Sequence, residues 1–210
     1  MKIPPNGIGT FRSASGAGDR GFSLVEIMIV LAILAVLTAI SVPYFLNYTR
    51  AYKSEDQAVK VMDLMRETAQ LALNRRRTIR FELNVGNPAL PFARIIDENG
   101  TDPDVVIKRI PLEPMSVIRM DAPAGVTAPN PPNYGNIGFV SGLWSARFKS
   151  DGSVVNAGDM PVSVTLYSYP SLNNTTTPKR MTEVRAITVF GGSGAVRYWK
   201  HNGTAFVPFQ

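Results

Sequence analysis

A continuous apolar run near the N-terminus constrains the fold of this chain more than any other feature. Residues 27–49 contain no charged side chain, and most of them are Ile, Leu, Val, Ala or Met. About 20 apolar residues are enough for an α-helix to cross the hydrocarbon core of a bilayer. The run therefore predicts one membrane-spanning helix, and the rest of the chain must fold outside it.

A glutamate, Glu26, stands directly before this run. An ionisable side chain near the centre of a membrane is costly and indicates a function. At the N-terminus of a helix the same side chain lies at the interface and interacts favourably with the helix dipole. Glu26 taken alone is consistent with an interfacial residue or with a functional one.

The residues before the run indicate its orientation. Residues 1–20 are polar and rich in Gly and Ser, and their three basic side chains outweigh Asp19. Positive charge before the first membrane segment predicts a cytoplasmic N-terminus and an exported C-terminal body. A secretory signal peptide has a shorter apolar region with small residues after it, whereas Gly21 precedes the run.

The sequence "GFSLVE" at 21–26 resembles the leader junction of type IV prepilins and pseudopilins. In that family a membrane peptidase cuts after the glycine and methylates the new N-terminal amine. The resemblance implies cleavage between Gly21 and Phe22, with methylation of Phe22. Counted from Phe22, Glu26 is fifth and Pro43 is twenty-second, where the family has a glutamate and often a helix-bending proline. It further implies that Glu26 of one subunit meets the N-terminal amine of a neighbour in a staggered filament.

The helix is predicted to continue past the membrane segment. Residues 51–74 contain no Pro or Gly, and their apolar side chains recur mostly at helical spacing. This pattern is typical of an amphipathic helix with one face covered by a globular body. At 79–85 apolar and polar residues alternate, which predicts a half-buried strand.

Short strands separated by turns are predicted after this point. Asp151-Gly152 indicates a hairpin, and "GGSG" at 191–194 indicates a β-turn, because no Gly-Lys-Ser/Thr follows as a phosphate loop requires. Pro, Gly and Asn predict exposed loops at 121–136 and 171–180. The further predicted strands are 93–96, 105–110, 116–120, 137–140, 144–149, 153–155, 162–169, 184–190 and 195–199.

These elements predict an α+β fold, with a long N-terminal helix packed on an antiparallel β-sheet head. The first half of the helix is transmembrane and the second half is amphipathic. The predicted boundaries are a leader at 1–21 that is removed, a transmembrane and filament-core helix at 22–49, an amphipathic helix at 50–77 and a β-rich head at 78–210.

The C-terminal half resembles the head of the GspH/FimT pseudopilins. The resemblance is carried by "ARFKSDGSVV", "VSVTLY" and "RAITVFGGSGAVRYW", and by "QLALNRRRTIRFEL" at the junction of long helix and first head strand. The segment 86–136 has no counterpart in it. Some members have a Gly-Arg-x-Arg element in the last hairpin that is linked to DNA capture. Here Ala195 replaces the first arginine, so only Arg197 remains.

The formal charge is +6, and three basic residues against one acidic residue in 1–21 leave +4 on the remainder. A modest basic excess permits contact with nucleic acid or another anionic partner. Cations at a helix C-terminus also suit the helix dipole, which is the plainer explanation of the cluster at 75–80. The candidate contact residues are Arg75, Arg76, Arg77, Arg80, Arg197 and Lys200. Tyr198 and Trp199 are candidates to stack on bases or to lie at a strand edge.

The sequence predicts no enzymatic activity, no cofactor and no metal centre. The chain has no cysteine, and its one histidine, His201, is expected in a C-terminal tail. Carboxylates between Asp97 and Asp104 are compatible with Ca²⁺ chemistry, but their spacing is not that of an EF-hand loop. A solvated acidic loop is the preferred interpretation.

We therefore expect a structural subunit, a minor pilin or pseudopilin of a type II secretion pseudopilus or a type IV pilus. Its expected partners are a prepilin peptidase, other pilins, an inner-membrane assembly platform and the membrane itself. It should be a single-pass protein of the bacterial inner membrane with a periplasmic head, and periplasmic or extracellular after assembly. The alternatives are a DNA-binding minor pilin for natural transformation and a major pilin.

Overall fold

The computed structural model describes residues 22–84, 90–100, 103–112, 118–119, 122–129, 143–156, 158–170 and 177–209. The chain divides into two compact units, Met1–Tyr44 and Phe45–Gln210. The described part of the first unit is helical from Leu24 onward. The second unit contains the remainder of that helix and all of the described strands.

The predicted long helix is confirmed as α1, Leu24–Arg75, with Pro43 inside it. It ends where Arg76 adopts a left-handed conformation, with φ of 53°. The amide of Arg77 then donates to the carbonyl oxygen of Ala72 at 3.3 Å. This bond is the Schellman arrangement, which satisfies one of the last helical carbonyl groups.

Two antiparallel five-stranded sheets follow, and a short 3-10 helix, Met181–Glu183, precedes β8. The strand order is β3-β2-β1-β5-β6 in the first sheet and β10-β9-β8-β7-β4 in the second. The α+β class is therefore confirmed. The strands are β1 Ile79–Asn84, β2 Phe92–Asp97, β3 Val105–Pro111, β4 Ile118–Arg119, β5 Leu143–Phe148, β6 Val154–Val155, β7 Val164–Ser168, β8 Arg185–Val189, β9 Val196–His201 and β10 Phe206–Pro208.

One hydrophobic core joins α1 to both sheets. Residues of α1 from Ala58 to Ala72 share it with inward-facing residues of the strands, which alternate along each strand as the pleat requires. Trp144 lies at its centre and makes an edge-on contact with Phe81, with ring centroids 5.7 Å apart. The buried α1 residues of this core are Ala58, Val61, Met62, Leu64, Met65 and Ala72.

A second, smaller cluster lies on the other face of the second sheet. Tyr167, Tyr169 and Trp199 are buried there, and Val126 packs against them. Val126 belongs to the segment 122–129, in which Pro123 and Pro129 are also buried. The predicted loop is confirmed at 122–129, where no helix or strand forms, but the expectation of exposure is wrong for Pro123 and Pro129. Val126 is half-buried because it packs against the aromatic side chains of the sheet.

The strand predictions are confirmed for most of the described head. The hairpins at Asp151-Gly152 and at 191–194 both form, between β5 and β6 and between β8 and β9. Of the predicted strand at 116–120 the structure describes 118–119, and the one predicted at 137–140 lies outside the described residues. Strand β10 was not predicted, because only three residues, Phe206–Pro208, pair with β9.

The turns of these two hairpins contact one another. The amide of Val154 donates to the carbonyl oxygen of Gly191 at 2.7 Å, which links the two sheets. Gly194 has φ of 63°, and a Cβ placed on it would lie 2.7 Å from the carbonyl oxygen of Gly152. The close approach of the two turns therefore requires glycine at 194.

Replacing Gly194 with alanine should destabilise the fold more than the same change at Gly100. Both glycines have a positive φ, so each alanine carries a backbone cost of about 1 kcal/mol. Nothing lies within 4 Å of a Cβ on Gly100, whereas at Gly194 the backbone of the facing turn must move. Urea unfolding of the full chain in detergent micelles measures both changes, and equal losses would contradict the proposed contact.

Candidate functional site

The first part of α1 presents apolar side chains that no described residue of the protein buries. The segment Leu24–Leu46 is 23 residues long, apolar enough to cross a membrane, and none of it is buried. Most of its large side chains are half or more exposed. A contiguous apolar surface of this kind marks an interaction with a membrane or with other protein. Length and composition make this segment the candidate membrane span.

Ser23 directly precedes α1 and caps its N-terminus. Its Oγ accepts a hydrogen bond from the amide of Glu26 at 3.2 Å, and its carbonyl oxygen accepts from Ile27 at 3.2 Å. Serine followed three residues later by glutamate is the sequence of a helix capping box. The sequence reasoning did not identify this cap, although the Ser-x-x-Glu spacing carries the signal. Phe22, the predicted new N-terminus, lies outside the helix.

The Glu26 carboxylate lies in the first turn of α1 and is exposed. Among the residues that the structure describes, it has no hydrogen-bond or ion-pair partner. Its first-turn position is favourable for a negative charge because the free amide groups of the helix point toward it. In an apolar environment such a charge needs a cationic partner from outside the described chain.

The structure pairs Arg75 and Arg80 of the predicted basic cluster with carboxylates of the head, and Arg77 with an amide oxygen. Arg75 lies 2.8 Å from Asp97, and the Arg77 guanidinium donates to Asn99 at 2.6 Å. Arg80 carries the largest set of contacts. Its guanidinium nitrogens lie 2.8 Å from Glu82, 2.7 Å from Glu98 and 2.6 Å from Asp104.

Arg147 on β5 extends this network from the other side. It donates to Glu98 at 2.6 Å and contacts Asp159 at 3.0 Å. The hydrogen bond with Glu98 is the largest influence on Arg147 and raises its pKa, so its charge is fixed. For Arg80, partial burial opposes the charge, but hydrogen bonds to Asp104 and Glu98 outweigh that effect and raise its pKa.

The acidic residues between 97 and 104 are therefore partners of arginines. Asp97, Glu98 and Asp104 all accept from guanidinium groups, and Asp102 lies outside the described residues. No cluster of three metal-ligating side chains occurs within the described ranges. The expectation of a solvated loop is wrong for Asp97, which is only 6% exposed.

Three of the candidate contact residues differ from the others in their surroundings. Arg76 and Arg197 are exposed, and neither has an ion-pair partner in the part of the chain that the structure describes. Lys200 lies over the ring of Phe209 at 5.7 Å and lies 4.0 Å from Glu55. The structure does not gather Arg75, Arg77, Arg80 and Arg197 into one unpaired basic surface.

The aromatic residues beside Arg197 are unavailable for stacking on bases. Tyr198 and Trp199 are each only 5% exposed. Burial raises the pKa of the Tyr198 hydroxyl to about 12, and the indole nitrogen of Trp199 donates to Thr188 at 2.8 Å. Both side chains belong to the packing of the second sheet.

The prediction that His201 lies in a tail is wrong. His201 is the last residue of β9 and is buried, because β10 pairs with this end of the strand. Its ring contacts Phe206 edge-on, with centroids 4.9 Å apart, and its Nδ1 accepts from the amide of Gly203 at 3.1 Å. Burial lowers the pKa of His201 below its ordinary value.

Replacing Arg80 with methionine should lower the free energy of unfolding by about 2 kcal/mol. The change leaves Glu82 and Glu98, which are largely buried, without one of their charged donors. Arg66→Met is the matched control, because Arg66 is exposed and has no partner within the described ranges. Urea unfolding of the full chain in micelles compares the two, and similar losses would show that the network adds no stability.

Stability should also depend on pH through His201. Since its pKa is lowered on folding, the unfolded chain takes up a proton first as the pH falls below about 7. The contribution of His201 is complete above that pH and is lost as the pH falls through its folded pKa. Unfolding midpoints between about pH 5 and 7.5 should rise with pH in the parent and rise less in His201→Gln. If the unfolding midpoint changes equally with pH in the parent and in the variant, His201 is not the source of the pH dependence.

Comparisons with known proteins concern the N-terminal part of the chain. Residues 17–42 match the family described as the prokaryotic N-terminal methylation motif. A stretch of 32 residues is 52% identical to the prepilin peptidase-dependent protein D of Escherichia coli (strain K12). That stretch is 15% of this chain and 22% of the relative. No solved structure matches. These matches support a type IV pilin-like prepilin leader in the N-terminal part of this chain.

Proposed function

We propose that this protein is a structural subunit of a pilin-like filament, assembled through the apolar part of α1 after removal of residues 1–21. One combined observation carries the proposal. A junction that matches the N-terminal methylation motif lies at the start of a predominantly apolar helical segment of 23 residues, none of which is buried against the residues that the structure describes. Such a helix must be covered by lipid before assembly and by helices of other subunits afterwards.

The residues at the N-terminal end of the segment are consistent with cleavage in the membrane followed by assembly. A prepilin peptidase would cut between Gly21 and Phe22 and methylate the amine of Phe22. Ser23 caps the helix, so Phe22 precedes the first helical turn. The three basic residues among 1–20 favour a cytoplasmic N-terminus, with the head in the periplasm. The subunit would wait in the inner membrane in this orientation.

Glu26 is assigned to the register of the assembly. Its carboxylate has no partner among the described residues and lies next to an apolar surface. A charge removed from water is stabilised only when it is paired. The amine of Phe22 in a neighbouring subunit would supply that partner, so the two chains are held at a fixed stagger. Pro43, inside the same helix, is assigned to its fit in the filament core.

A minor pilin or pseudopilin of the GspH/FimT type is the finer form of the proposal. Its support is the order of elements in the head, namely the long helix, the Asp151-Gly152 hairpin and the glycine-turn hairpin at 191–194. The filament would be a type II secretion pseudopilus or a type IV pilus, built with an inner-membrane assembly platform. Its role is structural, and the residues singled out for it act through packing and charge.

DNA capture is the less supported alternative. Arg75, Arg77 and Arg80 have partners within the head, and Tyr198 and Trp199 are buried. The phosphate contacts that dominate nucleic-acid affinity need unpaired cations on one surface. Of the six candidate contact residues, two, Arg76 and Arg197, are exposed and have no ion-pair partner among the described residues.

Glu26→Ala should leave membrane insertion intact and reduce incorporation into filaments at least tenfold, roughly the effect of losing 1.4 kcal/mol of pairing free energy. The measurement is quantitative mass spectrometry of this protein in filaments sheared from cells and in the remaining envelope. The variant should accumulate in the envelope at the parental level. Parental incorporation of the variant would contradict the assignment of Glu26.

Thr38→Ala is the matched control. Thr38 is another polar residue of the apolar segment, but its hydroxyl is satisfied within the helix, donating to the carbonyl oxygen of Leu34 at 2.6 Å. It has no charge to pair with a neighbour. Incorporation of this variant should equal that of the parent.

A further inference from the structure

A row of exposed aromatic side chains lies on α1 at the end of the candidate membrane span. Phe45, Tyr48 and Tyr52 are 67%, 70% and 63% exposed. At 100° per residue they fall within about 60° of one another around the helix. The rings of Tyr48 and Tyr52 stack with centroids 6.5 Å apart and planes 17° apart. We call these three residues the aromatic stripe.

The head does not account for the exposure of the stripe. The candidate span ends at Leu46, and Ser54, 3% exposed, is the first α1 residue that the head buries among those whose side chains are described. At 1.5 Å per residue, Ser54 follows Leu46 by about 12 Å along the helix. Among the side chains at 47–53 that the structure describes, those of Tyr48, Tyr52 and Lys53 are exposed and that of Thr49 is half-buried, so the head leaves the two tyrosines uncovered.

The side chains along α1 change from apolar to aromatic to charged in the direction of the head. Apolar residues continue to Leu46, the stripe extends from Phe45 to Tyr52, and an ion pair between Asp56 and Lys60, 2.6 Å apart, follows. Tyrosine has an apolar ring and a polar hydroxyl, and it is enriched where membrane meets water. Charged pairs at 56–60 belong in water.

The distances match the polar layer of a bilayer. That layer adds about 5–7 Å on each side of the hydrocarbon core. Tyr48 and Tyr52 follow Leu46 by about 3 Å and 9 Å along the helix. With the core boundary at Leu46, Phe45 lies at the edge of the acyl chains and the two tyrosines lie in and just beyond the headgroup layer.

We propose that the aromatic stripe anchors α1 in the headgroup layer of the membrane and so fixes the depth at which the subunit is held before assembly. This rests on the proposed membrane insertion of the first part of α1. It adds an interaction surface, with lipid headgroups and the adjoining ester region as the partner. Phe45 contacts the upper acyl chains, while the hydroxyl groups of Tyr48 and Tyr52 bond to lipid and interfacial water.

The test measures the depth of a reporter on the helix in vesicles. The chain has no cysteine, so one cysteine at Thr49 carries a fluorophore at a unique position. The full chain is reconstituted at a low protein-to-lipid ratio in phosphatidylcholine vesicles. The vesicles contain lipids with a nitroxide quencher either on the headgroup or deep in the acyl chain.

In the parent, the headgroup nitroxide should quench the label more strongly than the deep one. Replacing both Tyr48 and Tyr52 with serine should shift the depth of the label by about 5 Å, roughly one helical turn. Replacing both with tryptophan, which prefers the same layer, should leave the depth unchanged. Met160→Ser, which removes an exposed apolar side chain of the head, should also leave it unchanged.

An unchanged depth in the serine variant would overturn the proposal. A label at Thr49 that neither nitroxide quenches would also overturn it. Energy transfer between labelled chains that is lost in the double serine variant would overturn it as well, because the stripe would then bind a second copy of this chain. A label at Val36 distinguishes failure of the anchoring proposal from failure of the proposed membrane insertion. If the deep nitroxide quenches a label at Val36 but replacing the tyrosines does not change the depth at Thr49, only the anchoring role of the stripe is refuted. If the deep nitroxide does not quench the label at Val36, membrane insertion of α1 is refuted as well.

Discussion

The uncovered apolar surface of α1 between Leu24 and Leu46 is the constraint on which the rest of this protein depends. In water such a surface would be covered by the chain's own core or by another molecule. None of it is buried against the residues that the structure describes, and the partners that we propose for it are lipid and other subunits. The roles that we propose for the residues at its two ends follow from this surface. They are pairing with a neighbouring subunit for Glu26, whose charge has no partner among the described residues, and membrane anchoring for the aromatic stripe.

After Ser54 the same helix packs against the head. There it contributes Ala58, Met65 and neighbouring residues to a core shared with both sheets. Beyond the C-terminal end of this helix, the ion pairs of Arg80 on β1 and Arg147 on β5 with Glu98 connect the first sheet to the loop that follows β2. A basic cluster that resembles a binding surface in sequence is in the fold mainly a set of internal contacts.

Local patterns made much of this architecture predictable. The helical period of 51–74, the alternation from Ile79, and the Asp-Gly and glycine-rich turns each act within a few residues, so sequence spacing reports them directly. The serine cap is equally local, and its Ser-x-x-Glu spacing was available. The junction at Gly21 was recognisable because its residues have fixed mutual positions.

The remaining features depend on contacts between distant residues. Arg147 and Glu98 are 49 residues apart, and Arg75 and Asp97 are 22 apart, so spacing alone does not reveal which charges pair. Burial of His201 requires β10, a strand of three residues with almost no periodic signal. The packing of Val126 depends on aromatic side chains that β7 and β9 bring together. Each of these outcomes is decided by tertiary structure.

The central claim is that the chain is processed as a prepilin before its apolar helix enters a filament. The most direct test is mass spectrometry of the N-terminal peptide of this protein, purified from native envelopes and from sheared filaments. We predict a peptide that begins at Phe22 and carries one N-methyl group in both fractions. A protein that retains Met1 as its N-terminus in the envelope and is absent from filaments would contradict the account.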